Sequence, residues 1–90
     1  MSPDDVAAYC KDSSALWAPD ETTYNGGYNL DSLTDLRKHT PVQLVPDVEL
    51  LQADSNAIAK QERVYAQVKD EVVSSYKRVM DFNDQICKVH

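Results

Sequence analysis

The apolar residues of the last third of the chain recur at helical spacing. Their steps are mostly three, four or seven residues, which places them along one stripe of an α-helix. The stripe consists of Ile58, Tyr65, Val68, Val72, Val79, Phe82, Ile86 and Val89, and a second row beside it consists of Ala66, Val73, Met80 and Cys87. No glycine or proline interrupts this stretch. The pattern predicts one long C-terminal helix over residues 58–89.

The N-terminal stretch carries the signals of a helix start. Ser2 is a favourable N-cap, Pro3 suits the first turn, and Asp4 and Asp5 stabilise the positive end of the helix dipole. The residues predicted to share one face are Val6, Cys10, Ser13 and Trp17, with Tyr9 and Leu16 beside it. The helix is therefore predicted to continue through Trp17 and to end at Pro19.

Leucines spaced three apart predict a second, short helix from Leu30 to the basic end Arg37-Lys38-His39. Thr40–Gln43 matches a capping box, but Pro46 follows so closely that residues 41–45 are predicted to form a single turn. Pro46 then begins a third helix, whose inward residues are Val48, Leu51 and Ile58. Asp54-Ser55-Asn56 is predicted to kink or end this helix, and its continuation into the last helix stays open.

These segments predict an all-α fold: a small bundle of three to four helices with the long C-terminal helix as its spine. A chain of 90 residues is the length of one domain, so residues 1–90 are predicted to form a single helical domain. If the two cysteines pair, the N-terminal helix lies along the C-terminal end of the spine.

Residues 18–29, APDETTYNGGYN, form the predicted loop, in which Asn25-Gly26-Gly27 permits a tight reversal. Trp17, Tyr24 and Tyr28 surround this reversal, and aromatic side chains on a loop are a candidate partner-binding surface. The alternative, which the small size of the chain favours, is that these rings fold back and cover the core.

The charge of the chain is acidic and uneven. Residues 1–59 hold ten acidic and three basic side chains, a net charge of −7, and residues 60–90 hold five acidic and six basic ones, a net charge of +1. No basic patch is large enough to hold a phosphate backbone, so direct nucleic-acid binding is not expected. No apolar run approaches the ~20 residues of a membrane-spanning helix. Because the N-terminus is acidic where a signal peptide is basic and apolar, we expect no signal peptide within this sequence.

Cys10 and Cys87 lie near opposite ends of the chain, so they do not match a zinc motif, which needs close pairs. They are either buried free thiols or a disulfide, which would indicate an oxidising compartment. We expect a structural disulfide, because each cysteine lies on or beside the apolar face of its helix. Packed helices can bring two Cα atoms to the ~5.5 Å that a disulfide requires. Its reduction is expected to lower stability without changing partner binding.

No pattern indicates catalysis, a metal or a cofactor. His39 and His90 have no serine, cysteine or carboxylate at a suggestive spacing. Asp20–Asp31 has the length of a calcium-binding loop, but Asn25 stands where that loop requires glycine. We therefore expect a protein that is not an enzyme. The acids of the last helix are predicted to face solvent: Asp70, Glu71, Asp81 and Asp84.

Three segments carry a resemblance. They are Tyr9-Cys10, the stretch HTPVQLVPDVELL over residues 39–51, and FNDQICKV over residues 82–89. Their order resembles small exported helical proteins of actinobacteria, which have an early cysteine and another near the end of a long last helix. The sequence Tyr24–Tyr28 departs from that pattern. The resemblance implies an envelope location and a Cys10–Cys87 bridge, and it implies no activity.

Three hypotheses of function follow. The first is a non-enzymatic exported domain that binds another protein in the cell envelope or outside the cell. The alternative is an intracellular acidic inhibitor, of the phage type, that blocks a nucleic-acid-handling enzyme; the acidity of residues 1–59 motivates it. The third is a carrier of a small ligand or haem between the helices.

Overall fold

The computed structural model describes residues 3–14, 16, 18–19 and 30–87. In these parts of the chain the regular structure is entirely helical, which confirms the predicted all-α fold with a long last helix. The elements are α1 (Pro3–Ser13), α2 (Leu30–His39), a 3-10 turn (Val42–Leu44), α3 (Val45–Ala59) and α4 (Tyr65–Ile86). None of the described helices is long and apolar enough to cross a membrane.

One cluster of buried side chains joins the helices. Its members are Tyr9, Leu16, Leu33, Leu36, Leu44, Val48, Leu51, Ile58, Tyr65, Val68, Val72 and Val79. The predicted stripe is therefore confirmed over α4 from Tyr65 to Val79, and α3 packs along it. The second row is not buried in the same way: Ala66 and Val73 are exposed, and Met80 and Cys87 are only half-buried. The stripe is thus narrower than the two rows predict.

The predicted single helix over residues 58–89 is wrong, because the chain turns at residues 60–64. Ile58 belongs to α3, and α4 begins at Tyr65. Gln61 adopts a φ of 61°, the left-handed region that costs an ordinary residue about 1–2 kcal/mol. Hydrogen bonds offset this cost: the Gln61 amide donates to the Ile58 carbonyl at 3.0 Å. The Val64 amide donates to Gln67 Oε1 at 3.0 Å, which satisfies a free amide before α4.

α1 ends at Ser13 and does not continue to Trp17 as predicted. Serine hydroxyls bond the carbonyls of its last turn, since Ser13 Oγ donates to the Cys10 carbonyl at 3.2 Å and Ser14 Oγ to that of Lys11 at 2.7 Å. Such local bonds compete with the continuation of a helix. Trp17 itself lies outside the described residues.

The connection between α2 and α3 contains the predicted single turn, as the 3-10 turn Val42–Leu44. The predicted capping box at residues 40–43 is wrong, because the N-cap of the turn is Pro41 and no side chain caps it. Thr40 Oγ1 instead donates to the Leu36 carbonyl at 2.6 Å. The Asp54-Ser55-Asn56 sequence does not end α3, which continues to Ala59. Asp54 and Ser55 are instead buried within it.

We expect Val72→Asp to unfold the protein, because Val72 is fully buried at the centre of α4. An unpaired buried charge costs several kcal/mol, out of a total stability of about 5–10 kcal/mol. Val79→Asp should act in the same way. The matched control is Val73→Asp, one residue further along α4, where the side chain is 40% exposed. The melting temperature of each variant is measured by thermal denaturation, followed by circular dichroism. Equal melting temperatures for the Val72 and Val73 variants would contradict the inward face assigned to α4.

Candidate functional site

Cys10 and Cys87 meet at the end of the bundle where α4 finishes. Their sulfur atoms lie 1.98 Å apart and their Cα atoms 5.7 Å apart, which confirms the predicted pairing as a contact at disulfide distance. Beside them, the rings of Tyr9 and Phe82 pack edge to face, with centroids 5.7 Å apart. α1 therefore lies along the C-terminal end of α4, as predicted from the cysteines. Burial raises the pKa of Tyr9 to about 12.

A groove of about 410 Å³ opens at this end of the molecule, and we call it the disulfide-end groove. Its lining consists of Val6, Pro41, Gln43, Phe82 and Ile86. Val6 lies one turn before Cys10, and Ile86 directly precedes Cys87. The disulfide contact thus joins α1, which forms one wall of the groove, to α4, which forms another.

Val42 is the most exposed large apolar side chain of the described residues. It is 86% exposed, and its sequence neighbours on both sides, Pro41 and Gln43, line the disulfide-end groove. The lining holds no charged side chain, although 27% of the residues of the chain are charged. Depletion of charge with apolar side chains at the centre is the composition of a protein-interface core. This surface was not identified from the sequence, since its residues come from α1, the α2–α3 connection and α4.

The predicted partner-binding residues Trp17, Tyr24 and Tyr28 lie outside the described residues, so their role stays a prediction. Residues near Trp17 are described, and they place the start of the predicted loop. Leu16 is buried in the core, and Tyr65 Oη donates to the Pro19 carbonyl at 3.3 Å. Tyr65 begins α4, about 30 Å along the helix from Ile86 at 1.5 Å per residue. Pro19 is therefore anchored at the end of α4 opposite the disulfide-end groove.

A polar network fixes the start of α3 to the second half of α4. Asp47 Oδ1 accepts hydrogen bonds from Arg78 Nε at 2.7 Å and from Ser75 Oγ at 3.1 Å. Arg78 is followed one turn later by Phe82, which lines the groove. The network therefore holds the α4 wall of the groove against the start of α3. Sequence reasoning missed it, although Ser75, Arg78 and Phe82 stand at the helical spacing of one face.

Two carboxyl groups meet between α3 and α4. Asp54 is only 7% exposed, and no described group hydrogen-bonds its Oδ2 atom. Burial, followed by a hydrogen bond with Glu71 and the negative charge of Glu71, raises the pKa of Asp54 to about 6, and Arg63 opposes this rise. The acids Asp70, Glu71, Asp81 and Asp84 are exposed, as predicted. Although Glu71 is exposed, its carboxyl group also raises the pKa of the buried Asp54.

The remaining candidate groups are the two histidines and the residue types that bind metals. His39 is half-buried at the end of α2, and His90 lies outside the described residues. The described chain contains no group of three or more histidine, cysteine or acidic residues placed to hold a metal ion. A second depression, of about 370 Å³, lies between α2 and α3 and is lined by Thr34, Glu49, Gln52, Ala53 and Asn56.

No protein-family model, curated protein or solved structure matches this chain. The resemblance to small exported actinobacterial proteins therefore stays a prediction.

We expect native protein to contain no free thiol, because Cys10 and Cys87 lie at bonding distance. Thiol titration under denaturing, non-reducing conditions measures this. Reduction should lower the free energy of unfolding by about 4 kcal/mol on the chain-entropy account of a long closed loop. The Cys10→Ser/Cys87→Ser variant should show the same loss without reductant. Two titratable thiols in native material would contradict the disulfide.

Asp47→Ala should destabilise the protein by about 1–3 kcal/mol, because it leaves the fully buried Ser75 hydroxyl without its acceptor. The matched control is Glu49→Ala, which removes an exposed pair with Arg37 at 3.3 Å. Exposed pairs contribute about 0–1 kcal/mol. Chemical denaturation measures both variants. Equal losses would show that the Asp47 network contributes no more than a surface ion pair.

Proposed function

We propose that this chain is a non-enzymatic, extracytoplasmic helical domain that binds another protein through the disulfide-end groove. The single observation that carries the proposal is Val42, an aliphatic side chain that is 86% exposed between two residues, Pro41 and Gln43, that line a groove without charged side chains. An exposed apolar side chain beside an apolar groove is typical of a docking surface. The exposed side chain can enter a pocket on the partner, and the groove can accept an apolar side chain of the partner.

The partner that fits this groove presents an apolar side chain with basic residues beside it. The groove accommodates an apolar anchor, since Val6, Phe82 and Ile86 supply most of its lining. Asp4 and Asp5 are exposed in the turn that leads to Val6, and the whole chain carries a net charge of −6. Like charges across an interface are unfavourable, so a basic rim on the partner is complementary. The same acidity opposes binding to a phosphate backbone.

The extracytoplasmic location rests on the cysteines. A disulfide persists in an oxidising compartment and is rare in a reducing cytosol. The intracellular inhibitor of a nucleic-acid-handling enzyme remains the alternative, and it predicts two free thiols in protein isolated without oxidation. The haem-carrier hypothesis predicts a shift of the Soret band when haem is added, and an unchanged spectrum would exclude it.

The test compares substitutions of two exposed valines, one at each end of the molecule. Immobilised wild type, Val42→Asp and Val64→Asp are exposed to envelope and secreted proteins of the source cells, and retained proteins are quantified. Val64 is 57% exposed and directly precedes α4, at the end opposite the groove, so its variant is the matched control. We expect a partner that is retained by the wild type and by Val64→Asp, and retained at least about tenfold less by Val42→Asp.

A third variant, Tyr24→Ala/Tyr28→Ala, tests the aromatic residues predicted from the sequence. Loss of the partner in this variant with full retention by Val42→Asp would contradict the groove and favour the loop. Equal retention by all the variants would contradict both surfaces. Circular dichroism of each variant verifies that its helices are intact.

A further inference from the structure

The Asp54–Glu71 pair lies where α3 and α4 approach the turn that joins them. Asp54 is on the buried side of α3, one turn before Ile58, and Glu71 is on α4 directly before the fully buried Val72. The connection that follows α3, residues 60–64, contains Gln61 in the left-handed region. Both carboxyl groups therefore lie within about two helical turns of this connection.

We propose that Asp54 and Glu71 form a proton-sharing carboxyl pair that makes the α3–α4 hairpin pH-responsive, tighter in mildly acidic solution and looser towards neutral pH. The inference is independent of the proposed partner, since it concerns the opposite end of α4 from the disulfide-end groove. It rests on the burial of Asp54, on the Oδ2 atom for which the described residues provide no donor, and on the approach of a second acid.

The pH response would arise from the different interactions of the carboxyl pair when it holds one proton and when it holds none. With one proton, Asp54 donates a hydrogen bond to Glu71, and the pair carries a single negative charge. Without this proton, the two carboxylates repel each other. The Asp54 carboxylate is also buried away from water, and both effects disfavour its charged form. Arg63 is the charged group of the connection that attracts Asp54, but it is exposed and therefore screened by solvent.

The sign of the pH dependence follows from the two states of the chain. The pKa of Asp54 is about 6 in the folded protein, above its ordinary value of 3.8. The folded protein therefore binds the proton more tightly, and stability decreases as the pH rises through this interval. The stabilising contribution of the protonated pair is complete below about pH 4 and is lost above about pH 6.

The direct test is a pH titration of the side-chain carboxyl carbon of Asp54 by NMR in the full chain. We expect a midpoint near pH 6, about two units above the ordinary aspartate value of 3.8. In Glu71→Gln the Asp54 midpoint should decrease, because the neighbouring charge is removed. A wild-type midpoint near pH 4, or a midpoint that Glu71→Gln leaves unchanged, would overturn the proposal.

A second measurement compares melting temperatures at pH 7.5 and pH 5. Asp54→Asn keeps the shape of the side chain and mimics its neutral form, so its melting temperature should exceed that of the wild type at pH 7.5 by several degrees. At pH 5 this advantage should largely disappear. Asp70→Asn, next to Glu71 on the exposed face, should follow the wild type at both pH values. Parallel pH dependences of the wild type and Asp54→Asn would contradict the pair.

Discussion

The burial of one face of α4 is the contact on which the other elements depend. α3 packs along it, α1 meets its C-terminal end through Tyr9 and the cysteines, and the Pro19 carbonyl is held at its N-terminal end. Only a narrow stripe of α4 is buried, so the second row that contains Val73 and Met80 is left partly accessible. A chain of this size buries only about 60–65% of the surface that its unfolded form exposes. Fixed contacts at the ends of the helices therefore matter more than in a larger protein.

Two such contacts act at the groove end, and each determines part of its shape. The cysteine pair fixes α1 against the end of α4, and the Asp47–Arg78 bond fixes α3 one turn before Phe82. The groove forms where these helices leave the α2–α3 connection uncovered, with Val42 pointing away from the core. Binding would then require little rearrangement, since the walls are already held in place, and preorganisation of this kind reduces the cost of association.

Local patterns in the sequence predicted much of the fold but little of the candidate site. The periodicity of α4, the leucines of α2 and the proline at the start of α3 are short-range signals, and each predicted its helix. The turn at residues 60–64 contains no glycine or proline, so the sequence does not indicate it. The left-handed conformation is adopted by Gln61, a residue that rarely takes it. Asp54 stands at the spacing of the inward residues Leu51 and Ile58, but the polar sequence Asp54-Ser55-Asn56 favours a kink or an end of the helix over burial. The groove and the Asp47 network join residues far apart in the chain, which no local pattern relates.

The central claim is that a protein partner contacts the disulfide-end groove, and crosslinking from a defined position tests it most directly. A photoreactive phenylalanine derivative replaces Val42 in one protein and Val64 in another, and each is irradiated in the source cells. Both sites are exposed valines outside the buried cluster, so neither replacement alters the core. The account predicts a discrete crosslinked adduct from position 42 and none from position 64. An adduct from position 64 alone, or no adduct from either position, would contradict it.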